Sequence, residues 1–171
     1  MKVLETDRLI LRRLSIEDAD FILELLNEPS YVHFIGDKGV RTIDDARDYI
    51  LKGPIASYEE FGFGLYLTEL KDSHVPIGIC GLLKRASLPD VDIGFAFLAQ
   101  FWSKGYAFEA ASTVMAYARR VLGLNRIVAI VTPDNERSIK ILSKLGLRFE
   151  RMERWNEDGS EIKLYASEVK K

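Results

Sequence analysis

Apolar residues recur at helical spacing in four segments of the chain. The clearest segment covers residues 107–122, where alanine, valine and leucine side chains form one stripe and Gly123 follows as a stop signal. Ser15 and Thr42 each begin a further segment with acidic residues in its first turn. A fourth apolar face covers residues 139–145. We therefore expect about four helices.

Strand-like runs are more numerous than helical ones. Three of them follow one another in the middle of the chain with short polar breaks, which predicts an antiparallel meander. The run Ile127–Val131 is almost continuously β-branched, as is typical of a strand covered on both faces. The Asp158-Gly159 pair, within residues 156–159, predicts a hairpin between the last two runs. The seven runs are Arg8–Arg12, Gly62–Leu70, Pro76–Leu83, Val91–Leu98, Ile127–Val131, Arg148–Trp155 and Glu161–Ala166. This order predicts an α/β (α+β) fold with a mixed, mainly antiparallel sheet of about seven strands.

Length and charge limit the classes of protein that fit. The 171 residues suit one domain, 1–171, and no linker, repeat or low-complexity tract divides them. A net charge of −2 argues against a nucleic-acid partner. The N-terminus does not resemble a secretory signal, and no apolar run has the length of a membrane span. The single cysteine, Cys80, lies in an apolar run and suits a reducing compartment. We expect a cytoplasmic protein with no membrane partner.

A turn between a predicted strand and the clearest helix is the main candidate for chemistry. It reads Trp102-Ser103-Lys104-Gly105-Tyr106-Ala107. Free N–H groups at a helix start, together with the positive end of the helix dipole, bind phosphate oxygens. An ordinary strand-to-helix turn is the other interpretation, and local chemistry alone leaves both open. The P-loop pattern is absent, and Gly62-Phe63-Gly64 lacks the third glycine of a dinucleotide loop, which disfavours a nucleotide-using transferase.

The turn and its surroundings resemble the acetyl-CoA loop of the GCN5-related N-acetyltransferases (GNAT family). The likeness is strongest to the branch with the ribosomal-protein N-terminal (RimJ/RimL-type) acetyltransferases. The family loop reads Q/R-x-x-G-x-G/A, and Trp102, Gly105 and Ala107 take its first, fourth and sixth positions. Tryptophan is common at the first position in this branch, whereas Ser103 replaces the branch's usual glycine.

Two further segments resemble the same family in the same order. Residues Thr6–Arg12 are similar to its opening T-x-R-L-x-L-R strand. Asn135 begins a segment similar to its N-x-x-S … K-x-G-F helix, with Leu147 in place of the usual phenylalanine. The resemblance thus covers nearly the whole chain and implies an acyltransferase.

The resemblance also implies where the donor binds. Acetyl-CoA, as co-substrate, would lie between Val91–Leu98 and Ile127–Val131, two central parallel strands that a bulge splays apart. Main-chain groups of Phe97 and Leu98 would pair with pantetheine, and the backbone N–H assigned to Leu98 would stabilise the oxyanion. Transfer would be direct, with no acyl-enzyme and no metal. The other expected donor contacts are Trp102, Ser103, Lys104, Gly105, Tyr106, Ala107, Phe108 and Asn135.

Two side chains are candidates for proton transfer. Asp92 is the candidate base, because the family often has an acid before this Ile-Gly; the alternative is an ordinary solvent-facing strand carboxylate. Many family members carry a tyrosine acid seven residues after the helix asparagine, and Leu142 stands there instead. Ser138, one turn earlier, could donate the proton, or it could simply lie in a first turn capped by Asn135.

The acceptor is the least determined part of the function. Tyr31, His33 and Phe34 lie near where acceptors enter in the family, although a packed or exposed loop residue is the favoured interpretation of His33. The acceptor would be a primary amine: a protein N-terminal α-amine, a polyamine, an amino acid or an aminoglycoside. A non-catalytic acetyl-CoA-binding module on the same fold is the competing class. Dimers are common in the family, so a homodimer is an open alternative.

Overall fold

A single eight-stranded sheet organises the described residues, 1–155 and 158–168, of the computed structural model. The strand order across it is β1-β2-β3-β4-β5-β6-β8-β7. All neighbours are antiparallel except β5 and β6, which are parallel. The strands are β1 (Lys2–Glu5), β2 (Leu9–Arg13), β3 (Leu65–Leu70), β4 (Pro76–Leu83), β5 (Asp92–Phe97), β6 (Arg126–Val131), β7 (Arg148–Arg154) and β8 (Glu161–Glu168).

The predicted mixed sheet with a central parallel pair is confirmed. The seven predicted runs all form strands, and the β3–β5 meander is present. The eighth strand, β1, was not predicted, because four residues at a sheet edge carry too little alternation to be recognised. Strands β7 and β8 pair as a hairpin, and Asn156 and Glu157 of the predicted turn lie outside the described residues.

Six α-helices flank the sheet in the described part of the chain, two more than predicted. They are α1 (Ala19–Leu26), α2 (Pro29–Phe34), α3 (Ile43–Ile50), α4 (Ala56–Phe61), α5 (Tyr106–Arg120) and α6 (Glu136–Lys144). Pro29 follows the end of α1 and occupies the first turn of α2, where its missing N–H costs nothing. Capping boxes formed by Ser15 and Thr42 begin the α1 and α3 regions as their sequences indicate. No described helix is long and apolar enough to cross a membrane.

The two faces of the sheet bury separate cores. Neighbouring residues of β4 point to opposite faces, so Cys80 packs in the core that includes the α5 residues, whereas Ile79 packs in the core with α1 and α3. Cys80 is fully buried, and burial raises the pKa of its thiol. The expected role of this cysteine as a small buried hydrophobe is confirmed.

Strands β5 and β6 separate soon after they meet. Their one paired position is Asp92 with Val128, where the Val128 N–H donates to the Val91 carbonyl at 3.0 Å. On its other side, β5 stays in continuous register with β4 to Phe97. The expected splay is therefore present, although no irregularity in the β4–β5 register shows the expected bulge. The result is a V-shaped cleft that opens toward the carboxyl ends of β5 and β6.

Candidate active site

The turn after β5 presents a row of unpaired N–H groups at the open end of the cleft. Ser103 and Gly105 both have left-handed backbones, with φ of 64° and 83°. Gly105 is the N-cap of the 15-residue helix α5 and supplies no side-chain cap. Helical hydrogen bonding begins with the Glu109 N–H, whereas the main-chain N–H groups of 103–108 have no acceptor in the described part of the chain. Such a cradle at a helix start attracts anions.

Three cations of α6 face this cradle. Arg137, Lys140 and Lys144 are spaced by three and four residues, so they share one face of the helix. Together with the turn they line a cavity of about 380 Å³. Their role was not predicted from the sequence, although their helical spacing was the available signal. The cavity combines main-chain donors with positive charge, as binding of a phosphorylated ligand requires.

Trp102 connects the turn to the cleft. Its indole Nε1 donates to the Phe97 carbonyl at 2.9 Å, and its ring lies 4.3 Å from the Arg137 guanidinium carbon. Arg137 also donates to the Ser103 hydroxyl at 3.0 Å, so this pair of contacts fixes α6 against the turn. Lys104 is exposed and does not line the cavity, which leaves only its main-chain N–H for a ligand there.

The main-chain donor expected at Leu98 is already used. The Leu98 N–H donates to the Ile77 carbonyl of β4 at 3.0 Å, so the expectation of a free group was wrong there. Main-chain groups alternate along an antiparallel strand, which directs those of Phe95 and Phe97 to the open edge that faces β6. The Phe97 carbonyl already accepts from Trp102. The donors available to a ligand in the cleft are therefore the N–H groups of Phe95 and Phe97, and Phe95 had not been predicted.

Asp92 lies at the closed end of the V and is buried, with 1% exposure. The alternative interpretation of Asp92, an ordinary solvent-facing strand carboxylate, is therefore wrong. Arg85 Nε donates to both of its oxygens, at 3.2 and 3.3 Å. Burial, the largest effect, raises the pKa of Asp92 to about 6, although the charge and hydrogen bond of Arg85 act to lower it. A carboxylate that titrates near neutral pH can serve as a base. No group of His, Cys, Asp and Glu suited to a metal occurs among the described residues.

Asn135 and Ser138 lie together at the start of α6. The Asn135 Oδ1 accepts from the Ser138 N–H at 3.2 Å, so the capping contact considered for this pair is present. Both residues line a second cavity, of about 350 Å³, that follows the cleft. The Ser138 hydroxyl and the Asn135 amide nitrogen have no partner among the described residues and can meet a ligand. Leu142, one turn further, is buried.

Tyr31 and Phe34 line the second cavity, but His33 does not. Residues 29–34 form a helix rather than the expected loop. The side chains of residues 31 and 34 therefore lie on one face of this helix, and that of residue 33 lies on another. The His33 side chain is 63% exposed, and its Nε2 lies 2.9 Å from Asp134 Oδ2. The prediction that His33 faces an acceptor is therefore wrong for this structure.

Most aromatic residues of the segment 58–66 belong to the core and not to the cavity. Tyr58 is buried, and its hydroxyl accepts from the Leu14 N–H at 3.1 Å. Phe63 and Tyr66 are buried in the same core, and Phe61 does not line the cavity. The side chains that do complete the wall near Tyr31 and Asp92 are Lys38, Tyr49, Arg85 and Trp155, none of which had been predicted.

The opening strand motif, Thr6–Arg12, contacts the first turn of the helix that follows the 102–107 turn. The Glu109 carboxylate, in the first turn of α5, accepts from the Thr6 hydroxyl, the Arg8 N–H at 3.1 Å and Arg8 Nε at 2.8 Å. The Arg8 guanidinium also lies 4.4 Å from the centroid of the Tyr106 ring. The sequence segments around residues 6–8 and 102–110 therefore meet in one contact.

Comparison with known proteins agrees with this geometry. The acetyltransferase (GNAT) domain model matches residues 8–148. The chain is 31% identical over 150 residues to the uncharacterized N-acetyltransferase YoaA of Bacillus subtilis (strain 168), covering 86% of this chain and 84% of that protein. Among solved structures, a GNAT-family acetyltransferase from Bacillus anthracis superimposes with a TM-score of 0.81 at 24% identity, covering 98% of each chain.

A second solved structure was determined with the ligand coenzyme A. This protein, the ribosomal L7/L12 alpha-N-protein acetyltransferase RimL, superimposes with a TM-score of 0.82 at 17% identity, covering 99% of this chain and 98% of its own. The two structural likenesses show the fold, and the domain match together with the Bacillus subtilis relative shows the family. The chain belongs to the GNAT family of N-acetyltransferases.

Proposed function

We propose that this chain uses acetyl-CoA and transfers the acetyl group directly to the α-amine of an acceptor. One observation carries the proposal: the unpaired N–H groups of residues 103–108 face three cations of α6 at the open end of the splayed strands. This arrangement fits the pyrophosphate of a CoA ester. The α-amine is favoured because its pKa near 8 leaves an appreciable neutral fraction at pH 7, unlike a lysine side chain.

The residues of the cleft fit the rest of the donor. The free N–H groups of Phe95 and Phe97 can pair with pantetheine carbonyls, and Trp102 and the Asn135 amide border the same path. Ser103, Lys104, Gly105, Tyr106, Ala107 and Phe108 act through their main-chain N–H groups. Acetyl-CoA supplies the activated thioester, and the protein binds and orients it.

The catalytic roles follow from the atoms that remain free. Ionised Asp92 accepts a proton from the acceptor ammonium, directly or through water, and its pKa of about 6 leaves most of it ionised at pH 7. The Phe97 N–H, which replaces the expected Leu98 donor, stabilises the oxyanion. The Ser138 hydroxyl donates to the departing thiolate, since Leu142 has no proton to give. Cys80 is buried and takes no part.

Calorimetric titration with acetyl-CoA tests the donor, and a free-thiol assay with a panel of amines tests the transfer. We expect saturable binding together with CoA release that depends on an amine. No binding at millimolar acetyl-CoA would overturn the proposal. Leu142 at the position of the family's acid favours a second candidate, a non-catalytic acetyl-CoA-binding module. Tight binding with no turnover on any amine would support that candidate.

A further inference from the structure

Two cations stand together in the acceptor half of the second cavity. Lys38 follows α2, and Arg85 follows β4, yet both line the same wall beside Tyr31 and Tyr49. The pKa of Lys38 is lowered, first by desolvation and second by the positive charge of Arg85. Lys38 is exposed at the cavity wall, and its ammonium lies near a like charge, an arrangement that an anion bound between or beside the two cations would stabilise.

Neither cation is fully used by the protein. Lys38 forms no ion pair or hydrogen bond within the described residues. Arg85 contacts Asp92 through Nε alone, which leaves both terminal guanidinium nitrogens without a partner in the same part of the chain. The guanidinium lies 5.7 Å from the Trp155 ring centroid, a contact that orients its plane. Glu161 also lines the cavity, but it forms no ion pair with either cation.

These cations are too far from the turn to serve the donor phosphates. Arg85 contacts Asp92, the first residue of β5, whereas the turn follows Phe97, the last one. Six residues of extended strand separate the two ends by about 16 Å. The turn also has its own cations on α6. The charge of Lys38 and Arg85 is thus available to the acceptor.

We propose that Lys38 and Arg85 bind a carboxylate of the acceptor, so that the enzyme prefers an α-amine whose molecule also carries a carboxylate. A free amino acid and a peptide with an acidic side chain next to its N-terminus share this chemistry. The planar guanidinium of Arg85 can donate two parallel hydrogen bonds to a carboxylate, and the Lys38 ammonium adds a positive charge. Polyamines and aminoglycosides bring positive charge against both cations and are rejected. This inference rests on the proposed function.

Matched acceptor pairs test the inference by CoA release. The first pair is an amino acid and its α-carboxamide, and the second is a peptide with Glu or Gln at its second position; spermidine is the polycation. We expect kcat/KM to be at least about tenfold higher for the carboxylate member of one pair, as for one charge-assisted hydrogen bond. The pair that shows this difference indicates whether the acceptor is a free amino acid or a peptide. Equal rates within both pairs, or a preference for spermidine, would overturn the inference.

Variants connect the preference to the two cations. Lys38→Met should reduce the carboxylate preference severalfold while the acetyl-CoA affinity stays unchanged, and Lys38→Arg should restore the preference. Arg85→Lys keeps a cation beside Asp92 but removes the paired guanidinium donors, so it should reduce the preference for carboxylate acceptors. Lys52→Gln, at an exposed position of the π-helical segment Leu51–Ile55 after α3, is the matched control and should change nothing. A preference that survives both Lys38→Met and Arg85→Lys contradicts the assignment.

A binding readout separates this inference from the proposed function. Absence of acetyl-CoA binding, or of CoA release with any amine, counts against the proposed function alone. In that case the same acceptor pairs are titrated into the protein alone while the fluorescence of Trp155, beside Arg85, is followed, with Trp155→Phe as the control. Tighter binding of the carboxylate members in the parent protein, lost in Lys38→Met, supports the inference. Equal binding within both pairs overturns it.

Discussion

The two ends of the cleft are built from different chemical groups. The donor end relies on main-chain N–H groups and on exposed cations of α6, whereas the acceptor end relies on side chains, from buried Asp92 through half-buried Arg85 to exposed Lys38. Main-chain groups recognise a phosphate whichever side chains surround them, so the donor end tolerates Ser103 in place of glycine. The acceptor end depends on which side chain stands at each position. Variants should therefore affect the acceptor end through charge and proton transfer, and the donor end through backbone shape.

The largest expected effect comes from Asp92→Asn at the acceptor end. Removing a general base lowers kcat by about 100-fold to 10,000-fold. In the parent protein, ionised Asp92, with a pKa of about 6, takes the proton of the acceptor ammonium, so only one proton is lost before the reaction. The logarithm of kcat/KM should thus rise with pH at a slope of one below pH 6 and level off above it. In Asp92→Asn the acceptor α-amine, with a pKa near 8, must lose its proton to solvent, so the slope of one should continue up to about pH 8, measured by CoA release.

The control for this variant is acetyl-CoA affinity, which should stay within about twofold because Asp92 lies at the far end of β5 from the turn. A variant with normal turnover and an unchanged pH profile would show that Asp92 only balances Arg85. The acceptor end would then have no assigned general base.

Gly105→Val should have the next largest effect, this time on the donor end. Valine at a φ of 83° costs at least about 1–2 kcal/mol, so the turn relaxes and the N–H cradle is disturbed. Loss of one charge-assisted hydrogen bond, about 1.5–3 kcal/mol, corresponds to a roughly 10-fold to 100-fold rise in the acetyl-CoA dissociation constant measured by calorimetry.

Gly123→Val is the matched control, because Gly123 also has a left-handed backbone, with φ of 67°, but follows the other end of α5. It should lower stability, measured by thermal unfolding, and leave acetyl-CoA affinity unchanged. If both valine variants weaken binding equally, the effect is a general loss of structure and the turn has no special role.

A double variant, Lys140→Gln with Lys144→Gln, should have a smaller effect on the same end. Exposed charge pairs contribute up to about 1 kcal/mol each, so the acetyl-CoA dissociation constant should rise roughly threefold to 30-fold. The salt dependence of binding should also become weaker, since fewer charges are screened. Equal affinity and salt dependence in the variant and the parent protein would remove α6 from the phosphate site.

His33→Ala should have the smallest effect. The ring is mostly exposed and faces Asp134, and exposed pairs of this kind contribute little. We expect kcat/KM for the acceptor to change by less than about twofold. Phe34→Ala, on the face of α2 that lines the cavity, should raise the acceptor KM more than His33→Ala does. The reverse ranking would mean that α2 turns His33 into the cleft when an acceptor binds.

The donor end could be predicted from sequence, because its determinants are adjacent in the chain. Residues 102–107 combine a strand end, small residues and a helix start, and each of these signals is local. The α6 cations were missed because facing the turn is a tertiary property, even though their spacing was visible. Leu98 was assigned a free N–H because a sequence does not reveal which alternate main-chain groups face β4 and which face the cleft.

The acceptor end could be predicted only in part. Tyr31 and Phe34 line the second cavity, but residues 31–34 were expected to form a loop rather than part of helix α2, so His33 was placed with them. Helix α4 was missed because Gly53 and Pro54 interrupt the apolar pattern within the π-helical segment Leu51–Ile55. Lys38 and Arg85 are separated by 46 positions, and only the folded sheet brings them to one wall.

The contact of Arg8 with Glu109 has a consequence for the electric field at the donor end. Burial alone would raise the pKa of Glu109, but hydrogen bonds from Thr6 and Arg8 lower it overall, so the carboxylate is charged. A bare negative charge in the first turn of α5 would repel the anion that the helix start attracts. Arg8 balances that charge without lining the cavity. In the proposed function, the donor phosphate would therefore meet a locally neutral scaffold and respond to the helix dipole and the cations of α6.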